Sequence, residues 1–436
     1  SNNTITGADV AMLIGGSAEP VVFDNEIDES QIAGILHTES SSGEFTDNRI
    51  KPETGAGIVV EGDAAPEHVD VVVDNGLVGI VFREMAAGSI RGATLTGQQV
   101  GIETNDQTSP TIETSAVIDA SDAGVILGGE TTATFAQNTI ETPVAIGIQT
   151  SGTGSPVVED NLVTGGDTAV LVTESSTPTI RDNVLGDQNF GIGVSGQAAP
   201  MIENNEITNA VAGAMSFEGE SSGEVRNNVI VDAGLVGIRI AGDATPVIDS
   251  NMLFAAVSLP AEPAPADDAN QDESAVDDAA PDDEADDDSA DADSTANDQS
   301  GAGLLYAEQA GGTAVDNELF GFVIGIQVSD DATPDIESNR VDGAGVGGVG
   351  LLFGGAASGT AQDNLSINQQ LGFQLSGTAA PVLSGNTVED STVAAFLIQG
   401  QSTAELSGNA CVGGAVGIVV LEQAVPVFDD NNCTVQ

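Results

Sequence analysis

The stretch that decides the fold runs from Gly237 to Asn251 and reads GIRIAGDATPVIDSN. A glycine opens a short apolar run, a proline follows nine residues later, and an asparagine closes the stretch. The same spacing, from a Gly or Ala to one fixed position fourteen residues later, occurs seventeen times in the chain. The fixed position recurs every 22 or 23 residues over most of the length. A repeat of this length is itself the architecture of the protein.

We call this fixed position the ladder position. Asparagine occupies it except at Val71, Ala93 and Ser115, and only the gap from 251 to 317 is much longer than the others. Asn tolerates left-handed backbone, and its amides can bond to one another along a stack, so a structural ladder is predicted. The asparagines are Asn3, Asn25, Asn48, Asn138, Asn161, Asn183, Asn205, Asn228, Asn251, Asn317, Asn339, Asn364, Asn386, Asn409 and Asn431.

Each repeat contains three short apolar runs with period-two patterning, which indicates strands and not helices. Strands this short bury a face only if each coil stacks on the one before it. We therefore predict an all-β solenoid of about 18 coils, each of 22 or 23 residues and three strands. With coils about 4.8 Å apart, the rod is on the order of 80 Å long. The glycine before the strand, and a Gly or acid five residues later, are read as turn residues.

The pattern G-I-x-V…P-x-I-x-x-N-x-I resembles the right-handed parallel β-helix superfamily of pectate-lyase-like and periplasmic β-helix proteins. The resemblance covers nearly all of the chain outside residues 255–300. It implies the single-stranded right-handed parallel β-helix fold. It does not imply one activity, because that superfamily includes lyases, hydrolases, epimerases, phage tailspikes and inert surface proteins.

The composition is strongly acidic, with 8 Lys plus Arg against 68 Asp plus Glu and a formal charge of −60. Such a chain repels nucleic acid and anionic membranes, and salt must screen its self-repulsion. The near-absence of lysine resembles proteins of salt-loving microbes. No cofactor is predicted. The alternative, calcium or another cation bound at acidic turns, lacks a nine-residue GGxGxD repeat or an EF-hand loop.

The two cysteines and the absence of a membrane-spanning run bear on location. Nothing approaches 18 uninterrupted apolar residues, and no signal peptide opens the chain, as expected of a mature or trimmed product. Cys411 and Cys433 each lie two residues after a ladder position, so they should stack in adjacent coils. We predict a disulfide and an extracellular or cell-surface location in high salt. The alternative is two reduced thiols in the core.

An acidic segment interrupts the repeat. Residues 255–300 are rich in Asp and Pro and contain no aromatic residue, so a disordered loop inserted in one coil is predicted. The normal phase resumes at Gly303, which predicts that residues 1–254 and 301–436 form one continuous β-helix. A spacer or a cation-condensing segment is the functional alternative to a tolerated insertion.

Few residues are candidates for chemistry. We call the Gly or Ala fourteen residues before each ladder position the ladder glycine. His37 and Tyr306 occupy the core-facing position three residues after it, and His68 occupies an inward position after Pro66. We predict that all three are core residues; a catalytic or metal-binding histidine pair is the alternative. The motifs of polygalacturonases, alginate epimerases, P-loop proteins and HExxH metalloproteases are absent. No catalytic residue is therefore assigned.

Two features favour assembly. The first is an apolar stripe, predicted to face outward two residues after the ladder glycine and to serve as an interface. Ordinary β-propensity is the alternative explanation. The second is that the chain begins and ends in phase with the repeat, which predicts end-to-end stacking or trimming from a longer protein. The stripe consists of Leu13, Leu36, Val59, Val81, Ile126, Leu171, Leu305, Leu352, Leu397 and Val419.

These observations favour a non-catalytic extracellular or cell-surface β-solenoid with a structural or adhesive role, assembling end-to-end or laterally. Expected partners are further copies of the chain, as an oligomer or fibre, another surface protein, or a polysaccharide. The alternative is a polysaccharide-active lyase, hydrolase or epimerase that uses Asp or Glu on a sheet face.

Overall fold

The protein is a parallel β-helix in which every coil contributes one strand to each of three sheets. The computed structural model describes residues 1–142, 145–255, 301–344 and 346–434. Within these ranges the regular structure is 51 short strands and no helix. All pairings are parallel and link strands of successive coils. Nowhere in the described ranges is there a helix with the length and apolarity needed to cross a membrane.

The first sheet follows the ladder positions, and most of its strands have three residues. Its strands are β1 (Thr4–Thr6), β4 (Glu26–Asp28), β7 (Arg49–Lys51), β10 (Val72–Asp74), β13 (Thr94–Thr96), β16 (Ala116–Ile118), β19 (Thr139–Glu141), β22 (Leu162–Thr164), β25 (Val184–Gly186), β28 (Glu206–Thr208), β31 (Val229–Ala233), β34 (Met252–Ala255), β37 (Glu318–Phe320), β40 (Arg340–Asp342), β43 (Leu365–Ile367), β46 (Thr387–Glu389) and β49 (Ala410–Val412).

The second sheet has the longest strands, and all but the last contain the ladder glycine or the alanine that replaces it. They are β2 (Val10–Ile14), β5 (Ala33–His37), β8 (Ala56–Val60), β11 (Val78–Phe82), β14 (Val100–Thr104), β17 (Ala123–Leu127), β20 (Ile146–Thr150), β23 (Thr168–Val172), β26 (Phe190–Val194), β29 (Gly213–Phe217), β32 (Val236–Ile240), β35 (Ala302–Tyr306), β38 (Ile324–Val328), β41 (Val349–Phe353), β44 (Leu371–Leu375), β47 (Ala394–Ile398) and β50 (Ile418–Val420).

The third sheet follows the turn that often carries proline. Its strands are β3 (Val21–Phe23), β6 (Glu44–Thr46), β9 (Glu67–Val69), β12 (Ser89–Arg91), β15 (Thr111–Glu113), β18 (Thr134–Ala136), β21 (Val157–Glu159), β24 (Thr179–Arg181), β27 (Met201–Glu203), β30 (Glu224–Arg226), β33 (Val247–Asp249), β36 (Thr313–Val315), β39 (Asp335–Glu337), β42 (Thr360–Gln362), β45 (Val382–Ser384), β48 (Glu405–Ser407) and β51 (Val427–Asp429).

The predicted all-β solenoid is confirmed, with a small difference in the number of coils. Each sheet contains 17 strands, whereas 18 ladder positions predicted about 18 coils. The difference lies at Asn431, after which the chain makes only an isolated bridge between Ala410 and Asn432. A single core runs along the rod from Ile27 to Ile418, filled by inward Ile, Val, Leu and Phe side chains.

The ladder glycine is needed for close packing, not for the tight turn that the sequence suggested. Gly34 does not adopt a positive φ. A Cβ there would lie 2.4 Å from Cγ2 of Ile50 and 2.8 Å from the carbonyl oxygen of Gly57 in the next coil. The inward branched side chain of the first sheet thus occupies the space of a Cβ. Glycine is favoured because the neighbouring sheet and coil approach it so closely.

The left-handed residue of the adjoining turn lies one position before the ladder asparagine, not at it. Asp47 has a φ of 53° and Asn204 a φ of 56°, whereas Asn48 and Asn205 are not in this region. The second turn agrees with the prediction, since Glu39 and Glu84 have φ values of 56° and 65°. Asp and Asn tolerate this conformation better than most residues, which explains their frequency before the ladder.

The coils on the two sides of the acidic segment are adjacent. In the first sheet Met252 pairs with Glu318, and in the second Val236 pairs with Ala302. Strand β34 continues to Ala255, one residue beyond the predicted boundary. The rest of the predicted acidic loop, residues 256–300, lies outside the described residues.

Candidate functional site

The asparagine ladder is a file of buried amides at the corner between the third and first sheets. Oδ1 of Asn205 accepts hydrogen bonds from the backbone N–H and the side-chain Nδ2 of Asn183, at 3.0 and 2.9 Å. Its own Nδ2 donates to Oδ1 of Asn228 at 3.0 Å and to the carbonyl oxygen of Ile180 at 2.9 Å. The file also links Asn251 to Asn317 at 3.0 Å. Both ends of each amide are therefore occupied by the fold.

The asparagine ladder is interrupted at Val71 and Ala93, and the hydroxyl of Ser115 is the first polar side chain after the interruption. Oγ of Ser115 accepts a hydrogen bond from the backbone N–H of Ala93 at 3.1 Å. It donates to the carbonyl oxygen of Glu113 at 3.0 Å. The backbone N–H of Ser115 donates to Oδ1 of Asn138 at 2.8 Å, and the asparagine ladder continues from Asn138. The corner therefore keeps its shape without an amide in every coil.

His37 and His68 are fully buried and contact each other inside the first three coils. Their Nε2 atoms are 3.1 Å apart, so one donates and the other accepts a hydrogen bond. The ring of Phe45 packs edge-on against His37, at a centroid distance of 4.6 Å, and stacks on His68 at 4.8 Å. Neither Nδ1 atom has a hydrogen-bond partner.

This packing determines the charge of the histidine pair. Burial lowers the pKa of His37 to about 4. Burial and the neighbouring His37 hold the pKa of His68 well below its usual range. Two neutral imidazoles without access to solvent serve as core packing rather than as an acid–base pair. Across the described ranges, no group of three His, Cys, Asp or Glu side chains is placed to hold a metal ion.

Tyr306 is also a core residue. Its side chain is fully buried, and its hydroxyl makes no hydrogen bond. Burial raises the pKa of this hydroxyl far above its usual value. Its neighbours in the sheet, Ile240 and Val328, are equally buried, so the tyrosine fills a position that other coils give to aliphatic side chains.

Cys411 and Cys433 form a disulfide between adjacent coils, with their Cα atoms 5.1 Å apart. Both side chains pack against the end of the core. The bond ties the segment after Asn431, which has no strand of its own, to β49. A cross-link at this place restricts fraying where the stack of strands ends.

The acids at the second turn form a ladder of their own. Oε2 of Glu84 accepts a hydrogen bond from the backbone N–H of Gly62, and Oδ2 of Asp106 accepts one from the N–H of Glu84, both at 2.9 Å. The same arrangement joins Gly242, Glu308 and Asp330, at 3.1 and 3.0 Å. These carboxylates accept hydrogen bonds from backbone N–H groups of the turns, so they have a structural role at the surface.

The arginines form exposed ion pairs with acids of the same or the adjacent coil. Arg181 pairs with Glu159, and Arg226 pairs with Glu203 at 3.0 Å. Both arginines lie on the outer face of the third sheet. Exposed pairs of this kind contribute little to stability.

The apolar stripe lies on the outer face of the second sheet. Leu13 is exposed, Val59 and Leu305 are buried, and the other members are half-buried. Val59 belongs to a small apolar cluster with Ala33, Ala56 and Val78, separate from the main core. Neighbouring members of the stripe thus cover one another, although the face as a whole points away from the core.

A groove interrupts the stripe where Gly193 and Ser216 replace a large side chain. Two adjoining depressions of about 320 and 290 Å³ meet at Phe190, Ser216 and Glu218. Leu171 lines one end and Arg239 the other, where the guanidinium donates to Oε1 of Glu218 at 2.7 Å. The groove offers an apolar floor with carboxylates at its rim. Leu171 was predicted from the sequence as a member of the stripe, but the groove was not, because a missing side chain gives no motif.

Three buried glutamines were also not predicted from the sequence. Gln98 and Gln188 lie at the corner between the first and second sheets, and Nε2 of Gln98 donates to the carbonyl oxygens of Val73, Asn75 and Thr96 at 2.9 to 3.1 Å. Gln369 is buried at a similar place. The signal was available, since each glutamine lies three residues before the glycine of the following strand, but glutamine is normally a surface residue.

The coil geometry and the inward and outward rows define a β-helix, and the comparisons agree. Residues 1–86 and 78–230 match the family described as "Right handed beta helix region". The matches cover residues 1–230 of 436, more than half of the chain. The chain belongs to the right-handed β-helix family. Residues 282–431 match the family described as "Periplasmic copper-binding protein (NosD)". No sequence among the curated proteins matches.

Solved structures with a similar course of the chain are distant in sequence. A tailspike protein of E. coli bacteriophage HK620, in complex with a pentasaccharide, has 11% identity and a TM-score of 0.36, covering 98% of this chain and 72% of its own. A PL6 family alginate lyase has 12% identity and a TM-score of 0.32, with coverage of 100% and 96%. An alginate lyase from Paenibacillus sp. has 12% identity and a TM-score of 0.21, with coverage of 83% and 92%. At these values the likeness says nothing of what this chain binds.

Proposed function

We propose that this chain is a non-catalytic extracellular β-solenoid with a structural or adhesive role at a cell surface in high salt. The observation that carries the proposal is that the polar side chains of the interior are taken up by core packing and by the asparagine ladder. His37, His68 and Tyr306 are buried in the core, and the asparagines are occupied by their own ladder. The side chains best suited to chemistry thus serve packing.

The location rests on two observations of different kinds. The disulfide between Cys411 and Cys433 is typical of oxidising compartments outside the cytosol. The formal charge of −60 is best tolerated where salt screens it. A rigid rod of stacked coils suits a surface structure, and its partners would be further copies of the chain or another surface protein.

Copper binding, suggested by the name of the second family, does not fit the residues. The matched segment 282–431 contains no histidine and no methionine. Its cysteine, Cys411, is held in the disulfide. Copper sites use imidazole, thiolate or thioether ligands, so no copper role is proposed.

A second candidate function, action on a polysaccharide, is favoured by the groove at Gly193 and Ser216. Its rim includes Asp167 and Glu218, and its floor includes Phe190. A carboxylate pair beside an apolar surface suits a sugar chain.

One experiment separates the two functions. The protein is incubated at molar salt with a panel of neutral and acidic polysaccharides, and new reducing ends and unsaturated products are measured. The structural role predicts no turnover above that of the Asp167→Asn/Glu218→Gln variant. Turnover that this double variant abolishes would refute the non-catalytic role and support the second candidate.

A further inference from the structure

The outer face of the second sheet lacks the charge that covers the rest of the rod. Within its described strands, the charged residues are Glu103 on β14 and Arg239 on β32. The strands of the third sheet carry acids along their whole length, for example Glu113, Glu203 and Glu337. In a chain of net charge −60, this is the face on which a second acidic rod meets least repulsion.

The two charges are placed symmetrically about one strand. From Glu103 to Arg239 the outward row of the sheet has seven residues in register, and Leu171 on β23 lies at the middle of this segment. Glu103 lies three coils before Leu171 and Arg239 three coils after it, so each is about 14 Å away. The segment is Glu103, Ile126, Gln149, Leu171, Gly193, Ser216 and Arg239.

We propose that this face binds a second copy of the chain, with the two rods antiparallel and a two-fold axis parallel to the strands at Leu171. An isologous interface of this kind brings each residue opposite the one at the same distance on the other side of the axis. Glu103 then faces Arg239 of the partner subunit, and the pair occurs twice. Leu171 meets Leu171 of the partner subunit on the axis.

The shape of the row follows the same symmetry. The groove left by Gly193 and Ser216 lies one and two coils after the axis. Gln149 and Ile126 lie one and two coils before it. In the antiparallel dimer, the larger side chains of one copy enter the groove of the other. The outward residues at the strand starts are matched as well, since Phe190 faces Ile146 of the partner subunit.

The parallel arrangement lacks this complementarity. With the two-fold axis along the rod, every coil faces its own counterpart, so Glu103 meets a second Glu103 and Arg239 a second Arg239. Like charges directly opposed across an interface cost affinity and specify against that arrangement. The groove would also face a groove, leaving an unfilled space.

The existing contacts of the two charged residues permit the new pair. Arg239 donates through Nη1 to Glu218 at 2.7 Å, and its side chain is 25% exposed. Glu103 accepts a hydrogen bond from Nδ2 of Asn105 at 2.7 Å through one oxygen, leaving the other available. Because the rest of both rods is acidic, the dimer should be strengthened by salt, which screens the long-range repulsion.

The antiparallel dimer extends the proposed structural role. Its biological purpose rests on that role, but its formation does not. Dimerisation and polysaccharide turnover are separate measurements, so either proposal can fail alone. Sedimentation equilibrium at about 0.2 and about 3 M NaCl measures the dimer. We expect a two-fold mass at high salt and weaker association at low salt; a monomer at both, up to about 0.5 mM protein, overturns the proposal.

Substitutions test the position of the axis. Leu171→Asp places two carboxylates against each other and should weaken the dimer about 100-fold or more. The matched control is Leu162→Asp, an exposed leucine of the same coil on the first sheet, which should change the dissociation constant less than about threefold. Equal effects of the two variants would overturn the interface.

Charge exchange and cross-linking test the direction of the rods. Glu103→Arg or Arg239→Glu alone should weaken the dimer about tenfold, and the double exchange should restore most of the loss. A single Leu171→Cys variant should form an intermolecular disulfide on mild oxidation, whereas Glu103→Cys alone should not. Efficient cross-linking through Glu103→Cys, or no rescue by the double exchange, overturns the antiparallel arrangement.

Discussion

Two regions of the same corner differ in how they fill their interior. From Asn138 to Asn409 the ladder is continuous, and each amide bonds to the next coil and to a carbonyl oxygen of the coil before it. Between Val71 and Ser115 the amides are missing, and the coils keep the same three strands. The first coils contain a short ladder of their own, from Asn3 to Asn48, and also the histidine pair, whose Nδ1 atoms have no partners.

The difference shows that the amide ladder is not required for the coil geometry. What the fold requires is a partner for each buried polar group: Asn48, whose next coil presents Val71, donates through Nδ2 to the carbonyl oxygens of Val22 and Thr46, at 3.1 Å each. A buried polar group is costly only when its partner is lost, and replacing both partners together is nearly neutral. The continuous stretch should therefore be sensitive to a single deletion, and the interrupted stretch should not.

The largest effect is expected from removing one amide of the continuous ladder. Asn205→Ala leaves the backbone N–H of Asn183 and the carbonyl oxygen of Ile180 without this partner inside the rod. With one or two buried groups left unsatisfied, we expect a loss of about 3 kcal/mol in local stability. Hydrogen exchange of the amides in the flanking coils, followed by mass spectrometry at constant pH, measures it.

The matched variant in the interrupted stretch is Ser115→Ala, which removes one acceptor for the N–H of Ala93. Its expected cost is about 1 kcal/mol. If the two variants lose protection equally, the continuous ladder has no special role and the comparison fails.

The second effect is a sensitivity to acid confined to the first coils. Because the pKa of His37 is lowered to about 4 in the folded chain, the unfolded chain binds the proton more tightly. Stability is therefore complete above pH about 6.5 and is lost as the pH falls toward 4, with a total of about 3 kcal/mol from this residue. Melting temperatures between pH 7.5 and 4.5, followed by circular dichroism, measure the slope.

A double variant isolates the histidines from the many carboxylates, which titrate in the same range. His37→Val matches Val60, its pairing neighbour, and His68→Ile matches Ile90. The groups facing the pair from the first sheet are apolar, namely Ile27 and Ile50. The variant should lose the histidine part of the pH dependence; an unchanged slope would mean that the pair does not titrate in this range.

The repeat spacing predicted the fold well because one mechanism, the stacking of identical positions, determines most contacts. It identified the inward rows and the stacking of Cys411 on Cys433, and the structure links Asn251 to Asn317 across the acidic segment. The physical reasons assigned to individual positions were less accurate. Gly34 proved to be limited by the Ile50 side chain and the Gly57 backbone, contacts between sheets that a linear spacing does not contain.

The candidate sites were harder to predict for the same reason. The sequence placed His37 and His68 inward in adjacent coils, yet their contact depends on Phe45, which holds both rings. The groove at Gly193 arises from side chains that are small relative to their neighbours along the rod. Such a feature is visible in the sequence only after the outward row has been aligned coil by coil.

The smallest effect is expected from extending the ladder into the interrupted stretch. Ala93 is buried at the ladder position, one coil before Ser115. In Ala93→Asn the new amide could donate to Oγ of Ser115 and to the carbonyl oxygen of His68, as Asn138 donates to Ile112 at 3.0 Å. We expect a change within about 1 kcal/mol, because the gained hydrogen bonds offset the cost of burying an amide. Ala116→Asn, at an outward position of the next coil, is the control. A loss above about 3 kcal/mol at Ala93 alone would show that the interrupted stretch excludes the amide by packing, and that the two regions are not interchangeable.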